Sequence, residues 1–224
     1  MKDAAPLFRI NQAELGLDGR VILRDLDLRI EAGETIALLG ESGSGKTTLL
    51  RALRQQHPQQ VAWCPQHSGL VPLLTVFHNL YMGRLDRYST LYNLRNLLWP
   101  APLRRAELGE LAQRLGLGDR LLQSVDRLSG GQQSRVNLGR ALYQQRPVFL
   151  GDEPVSAVDE HQADDLLRLI NEQHETVVLA LHNIDQALTH CQRIIGLKEG
   201  RIIIDAPSAD LRAADLAQLY PSAA

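Results

Sequence analysis

The run Thr35-Ile-Ala-Leu-Leu39 ends in Gly40-Glu41-Ser42-Gly43-Ser44-Gly45-Lys46-Thr47, and that junction constrains the chain more than any other stretch. A short continuous apolar run bounded by glycine has the pattern of a strand buried on both faces. The helical pattern that resumes over Thr47–Leu53 makes the loop a strand-to-helix turn. Glycine at 40, 43 and 45 permits backbone angles that aim several N–H groups at one point. Such a nest, placed at a helix N-terminus, binds phosphate oxygens. Lys46 would reach the β- and γ-phosphates of a nucleotide and the Thr47 hydroxyl would ligate Mg²⁺, with Thr48 beside them.

A phosphate cradle of this kind needs a carboxylate for its metal. Val148-Phe-Leu-Gly-Asp152-Glu153 supplies one where an apolar strand ends, the place where α/β sheets hold ligands. Asp152 would hold Mg²⁺, and Glu153 is placed to polarise an attacking water as general base.

The rest of the chain alternates strands and helices. Leu7–Ile10 and Leu26–Ile30 have strand spacing with an Asp18-Gly19 turn between them, and Val61–Cys64 is a further strand. From Gln66 to about Gln145 helical spacing dominates, clearest over Arg104–Leu115 and Gln132–Tyr143. After the Val148–Leu150 strand come a helix from about Glu160, a strand at Thr176–Leu181 and a helix from about Ile184. A strand pair at Arg193–Leu197 and Arg201–Asp205 and a last helix near Asp210–Leu219 complete the pattern. It predicts an α/β fold with a mostly parallel sheet, in one domain over 1–224. Residues 1–65 and 146–224 form the nucleotide-binding core, and 66–145 an inserted helical subdomain.

Composition removes several classes. The net charge of −2 gives no basic bias, so no nucleic-acid partner is expected. Cys64 and Cys191 are far apart and in no metal spacing, which predicts two buried apolar thiols. No segment has the length and hydropathy of a signal peptide or a membrane span, so the chain is expected to be cytosolic.

With these motifs in place the chain resembles the nucleotide-binding subunits of ABC transporters, a P-loop NTPase family with a RecA-like core. Gly40–Thr47 stands at the Walker A loop, Gln66 at the Q-loop and Leu128-Ser129-Gly130-Gly131-Gln132 at the signature motif. Asp152 and Glu153 close Walker B, Ser156-Ala157-Val158-Asp159 matches the D-loop, and His182 falls at the switch histidine. The resemblance implies ATP and Mg²⁺ as ligands, with Gln66 joining Thr47 and Asp152 at the metal. It implies that His182 contacts the γ-phosphate, and that Ser129, Gly130, Gly131, Gln132 and Asp159 close over ATP held by a second copy. It further implies a homodimer, two transmembrane permease subunits and a periplasmic binding protein, with the chain at the cytoplasmic face of the inner membrane.

Two departures are visible. Leu17 stands where the family usually has an aromatic residue against adenine, and Arg20 is an alternative stacking group. Only 20 positions separate Lys46 from Gln66, which predicts a trimmed antiparallel β-subdomain. The segments Ser68–Phe77 and Asn79–Leu85 correspond to the groove for a permease coupling helix. Gly83-Arg84-Leu85 and the stretches around His182 and Ile194–Ile202 resemble the phosphonate-importer ATPases. The alternatives are an ABC ATPase for another cargo, a soluble one acting on DNA or ribosomes, and a non-hydrolysing regulatory cassette. No sustained heptads, basic bias or second cassette support the soluble class. Lys46, Asp152, Glu153 and His182 oppose the regulatory one.

Overall fold

The computed structural model describes residues 5–17 and 19–220, and at position 17 the backbone only. The strands β1 (Phe8–Leu17) and β2 (Arg20–Ile30) form an antiparallel ribbon. Its register shifts between Ile10 and Gly16, and Gln12 and Asp25 adopt φ of 42° and 49°. Those bulges break the in-out alternation. Strand spacing was therefore readable only at the ribbon's open end.

Next come β3 (Thr35–Leu39), α1 (Lys46–Gln56) and β4 (Val61–Cys64). Among the described residues no strand lies between α1 and β4, in agreement with a trimmed β-subdomain. A mainly helical stretch then carries α2 (Val76–Tyr81), α3 (Thr90–Leu98), α4 (Pro102–Arg114) and α5 (Gly130–Leu142). The chain continues through β5 (Val148–Asp152), α6 (Glu160–Gln173), β6 (Thr176–Ala180) and α7 (Ile184–His190). It ends in β7 (Arg193–Lys198), β8 (Arg201–Pro207) and a short α8 (Ala213–Leu216).

Six strands make one sheet in the order β4-β5-β6-β3-β7-β8, parallel except for β8. Successive residues of a strand face opposite sides, so each side has its own core. Ile36 and Leu38 join Leu49, Leu50 and Leu53 of α1 and the inner residues of the β1–β2 ribbon. Ala37 and Leu39 face Phe149, Leu179 and the buried faces of α2, α5 and α6. Both cysteines are buried free thiols, and burial pushes each up to about 12.

The expected helix over Asp210–Leu219 is not continuous. The segment is two single turns around α8, because Arg212 N donates to the Asp215 carboxylate at 2.8 Å and restarts the helix there. Only Leu216 and Leu219 of that stretch are buried, too little apolar surface to hold a longer helix.

Candidate active site

Parallel strands all present their C-terminal ends at one edge, and four of them bring residues singled out in the sequence there. β3 is followed by Gly40, β4 leads to Gln66, β5 ends at Asp152, and β6 is followed by Leu181 and His182.

The loop after β3 is shaped by its glycines. Gly40, Gly43 and Gly45 have φ of 142°, 84° and 108°. A Cβ on Gly40 would lie 2.1 Å from the Leu197 carbonyl oxygen, so no other residue fits there. Gly45 is the N-cap of α1, leaving the helix amides without a side-chain partner. Lys46 is buried, and its Nζ donates to the carbonyls of Gly40 at 2.6 Å and Glu41 at 3.0 Å. An ammonium has three donors, so one remains for a ligand. Burial lowers its pKa, while Glu153 and Asp152 act to raise it. The Ser44 hydroxyl is buried with no hydrogen-bond partner among the described residues.

The Thr47 hydroxyl donates to Asp152 Oδ2 at 2.8 Å. Burial pushes the Asp152 carboxyl up, and the Thr47 hydrogen bond opposes that shift. Glu153 sits in the left-handed region at φ 55°, a conformation that disfavours non-glycine residues. Its carbonyl accepts the Ser156 hydroxyl at 3.1 Å and its amide donates to Ala180 O at 3.2 Å, which holds the turn. The turn aims the Glu153 carboxylate at His182, with Nε2 and Oε1 2.6 Å apart. Glu153 lies between two depressions. One is lined by Ile22, Gly43, Lys46, Thr47, Gln66 and Glu153 itself. The other, of about 280 Å³, is lined by Glu153, Ser156, His182, Asn183 and Gln186 among others.

An orphaned hydroxyl, a glycine cradle, a spare ammonium donor and a hydroxyl–carboxylate pair fit a nucleotide triphosphate with Mg²⁺. Gln66 is exposed at the rim. The Leu17 side chain lies outside the described residues.

The structure does not bring the signature residues to this depression. Ser129 is the N-cap of α5, and its hydroxyl accepts Gln132 N at 3.4 Å while Gln132 Oε1 accepts Ser129 N at 3.0 Å. The Gln132 side chain is thus occupied by a capping box. Gly130 faces open space, whereas a Cβ on Gly131 would lie 2.6 Å from the Ala157 carbonyl oxygen. Asp159 caps α6 by accepting Gln162 N at 3.0 Å. Of the lining residues, sequence reasoning did not single out Ile22 or Asn183, and it named Ser156 only as part of the D-loop match. Asn183 caps α7, accepting from Asp185 N and Gln186 N, and an Asn before a helical pattern was the available signal. Ile22 carries no such signal.

An apolar groove lies at part of the 68–85 stretch. It is lined by Leu74, His78, Tyr81, Met82, Leu85 and, from α3, Leu94 and Leu97. The apolar residues before it divide, with Val76, Phe77 and Leu80 fully buried and Leu73 82% exposed.

Comparison with known proteins agrees with this geometry. Residues 23–60 and 53–156 match the family described as ABC transporter. A phosphonates import ATP-binding protein of Pseudomonas aeruginosa is 38% identical over 91% of this chain and 86% of its own length. One from Pseudomonas fluorescens is 37% identical over 95% of this chain and 91% of its own. A dimeric ATP-binding cassette in a post-hydrolysis state bound to ADP and Pi superposes with a TM-score of 0.71. It is 25% identical and covers 89% of this chain and 98% of that one. A nucleotide-free cassette from an ABC transporter reaches a TM-score of 0.74 at 19% identity, over 96% of this chain and 98% of that one. None of the described helices is long and apolar enough to cross a membrane. Motif order, fold and sequence thus agree, and the chain belongs to the ABC transporter family as its ATP-binding, ATP-hydrolysing subunit.

Proposed function

We propose that two copies of this chain bind two ATP molecules between them and drive import of a phosphonate or related phosphorus oxyanion. The observation that carries the two-chain reading is the separation of two phosphate-binding devices. Gly40–Lys46, Asp152, Glu153 and His182 converge on one edge, while Ser129–Gln132 line neither depression there. A likeness to a dimeric cassette bound to ADP and Pi supports it. The cargo is argued from kinship alone, since relatives named as phosphonate-import ATPases match nearly the whole chain.

In this reading the Gly40–Gly45 amides, Ser44, Lys46 and Thr48 hold the phosphates, and Leu17 or Arg20 lies against adenine. Thr47, Asp152 and Gln66 would hold Mg²⁺, which would supply charge neutralisation for the phosphates. Glu153 accepts the proton of the attacking water, and His182 holds Glu153 and the γ-phosphate in register. Ser129, Gly130, Gly131, Gln132 and Asp159 of the second copy close the site. Positioning and electrostatics then carry the chemistry. Residues 66–145 act as a helical subdomain, between core segments 1–65 and 146–224, whose apolar groove receives a permease helix. The full assembly has two permease subunits and a periplasmic binding protein, with this chain peripheral at the cytoplasmic face of the inner membrane.

The test is reconstitution in proteoliposomes with a candidate phosphonate permease and its binding protein. ATP-dependent uptake of a labelled alkylphosphonate, in preference to phosphate and phosphite, is the expected result. Uptake of an unrelated solute with no phosphonate uptake refutes the cargo. ATP turnover with the isolated chain held as a monomer at all concentrations refutes the dimer.

A further inference from the structure

The loop that carries Gln66 has no secondary structure of its own, yet it is tied along its length to one helix. Asn137 of α5, buried, donates from Nδ2 to the Pro65 carbonyl at 2.8 Å and reaches Cys64 Sγ at 3.5 Å. One turn on, Arg140 donates through Nη1 to the Gly69 carbonyl at 3.1 Å and through Nη2 to the Ser68 carbonyl. The same Nη2 lies 3.0 Å from Asn137 Oδ1, which locks the two side chains together. The recorded partners of this guanidinium are thus three uncharged oxygens, two of them backbone atoms of the loop. A planar fork of donors can satisfy two successive carbonyls at once, which an ammonium cannot.

The helix end from which Arg140 projects is itself fixed. A Cβ on Gly139 would lie 2.4 Å from Leu115 and 2.6 Å from Leu80, and a Cβ on Gly83 would lie 2.4 Å from the Arg140 carbonyl oxygen. The other end of the same helix begins at Ser129. Eleven residues of helix make a rigid span of roughly 16 Å between the signature and the clamp.

We propose that Arg140, with Asn137, is a positioning residue that fixes the Gln66 loop to the helix bearing the signature motif, so that the two move as one body. The proposal rests on the reading of Gln66 as a ligand of the nucleotide–metal site. Displacement of α5 on dimer closure then carries Gln66 with it, and Mg²⁺-dependent turnover depends on the Arg140 fork although Arg140 touches no substrate.

The experiment uses the purified full chain as wild type, Arg140→Lys, Arg140→Ala, Gln66→Ala and the Gln66→Ala/Arg140→Ala double variant. Amide hydrogen exchange is read without nucleotide, and Mg²⁺-ATP turnover and binding of a fluorescent ATP analogue are read separately. Exchange over residues 66–70 should rise about tenfold in Arg140→Ala while α1 and β5 stay within about twofold. Arg140→Lys should not restore it. Turnover should fall about tenfold or more with analogue affinity within about threefold, the split expected when orientation rather than binding is lost. The double variant should be no slower than Gln66→Ala alone, because both changes disable one device. Unchanged exchange at 66–70, rescue by lysine, or fully additive losses in the double variant overturns the proposal. A wild type that neither binds nor hydrolyses ATP refutes the ATPase reading instead, and the exchange measurement still decides whether Arg140 holds the loop.

Discussion

Replacing Glu153 with glutamine separates the chemistry of the site from its architecture. Among the described residues no backbone N–H donates to the carboxylate, and its partner is His182 Nε2 at 2.6 Å. Glutamine has the same length and still presents an oxygen to that nitrogen, so the turn held by Ser156 and Ala180 should persist. The side chains of Glu153 and His182 are 16% and 46% exposed, so the pair is screened on the histidine side. Weakening such a pair costs about 1 kcal/mol or less, a fall in Tm of about 2–4 °C at this chain length. Loss of a general base costs about 10²–10⁴-fold in rate. Phosphate release with saturating Mg²⁺-ATP should therefore fall by at least about 100-fold. Binding of an ATP analogue should hold within a few-fold, and a dimer should accumulate with ATP on size-exclusion chromatography. Turnover within about tenfold of wild type would remove Glu153 as the base. A fall in Tm of about 10 °C or more would mean the substitution had disturbed the fold, against the geometry above.

Lys46→Ala removes the tie to the Gly40 and Glu41 carbonyls and the one buried cation among the described residues that line the depression, so ATP should no longer raise Tm; a retained ATP-dependent shift refutes its role. Gly131→Ala drives a Cβ to 2.6 Å from the Ala157 carbonyl oxygen, and the overpacking should cost about 1–3 kcal/mol and lower turnover; unchanged turnover and denaturation midpoint would show that the two loops are not in firm contact. His174 is buried against Phe149, and burial lowers its pKa, so the unfolded chain takes up the proton first. Stability is therefore lost as pH falls through about 6.5 towards the lower folded value, and His174→Leu should flatten Tm against pH between 7.5 and 5.5. An identical slope in wild type and variant refutes that assignment.

What could be read from the sequence follows from how local each signal is. The strands at Thr35–Leu39 and Val61–Cys64 were expected with the bounds they have, because both are buried on two faces and end in loop residues. The glycine loop was legible because its residues are chosen by backbone angles within eight positions. The ribbon β1–β2 was legible only in part, since the bulges at Gln12 and Asp25 destroy the alternation on which strand reading relies. Helix α3 was not delimited, although Ser89 accepts Tyr92 N as an N-cap. Its Leu91, Leu94 and Leu98 are exposed, and apolar spacing alone does not tell a core face from an outward one. The ties from Arg140 to Ser68 and Gly69 were invisible because they join residues about seventy positions apart through backbone carbonyls, which carry no side-chain identity.

The placement of α5 bears on whether one chain could close its own site. To reach the Lys46 depression in the same chain, Ser129 would have to leave the helix it caps and Gly131 would have to part from Ala157. Further along, Gly139 is wedged between Leu80 and Leu115, so the helix has no room to slide along its axis past the segments that carry those two residues. A rigid-body shift of α5 would also drag Pro65, Ser68 and Gly69, through Asn137 and Arg140. Those residues flank Gln66 at the rim of the depression. Moving the signature towards its own phosphate loop thus deforms the very edge it would have to complete. A second copy needs no such deformation, because it can bring an intact α5 N-terminus, with open space at Gly130, to an intact glycine loop.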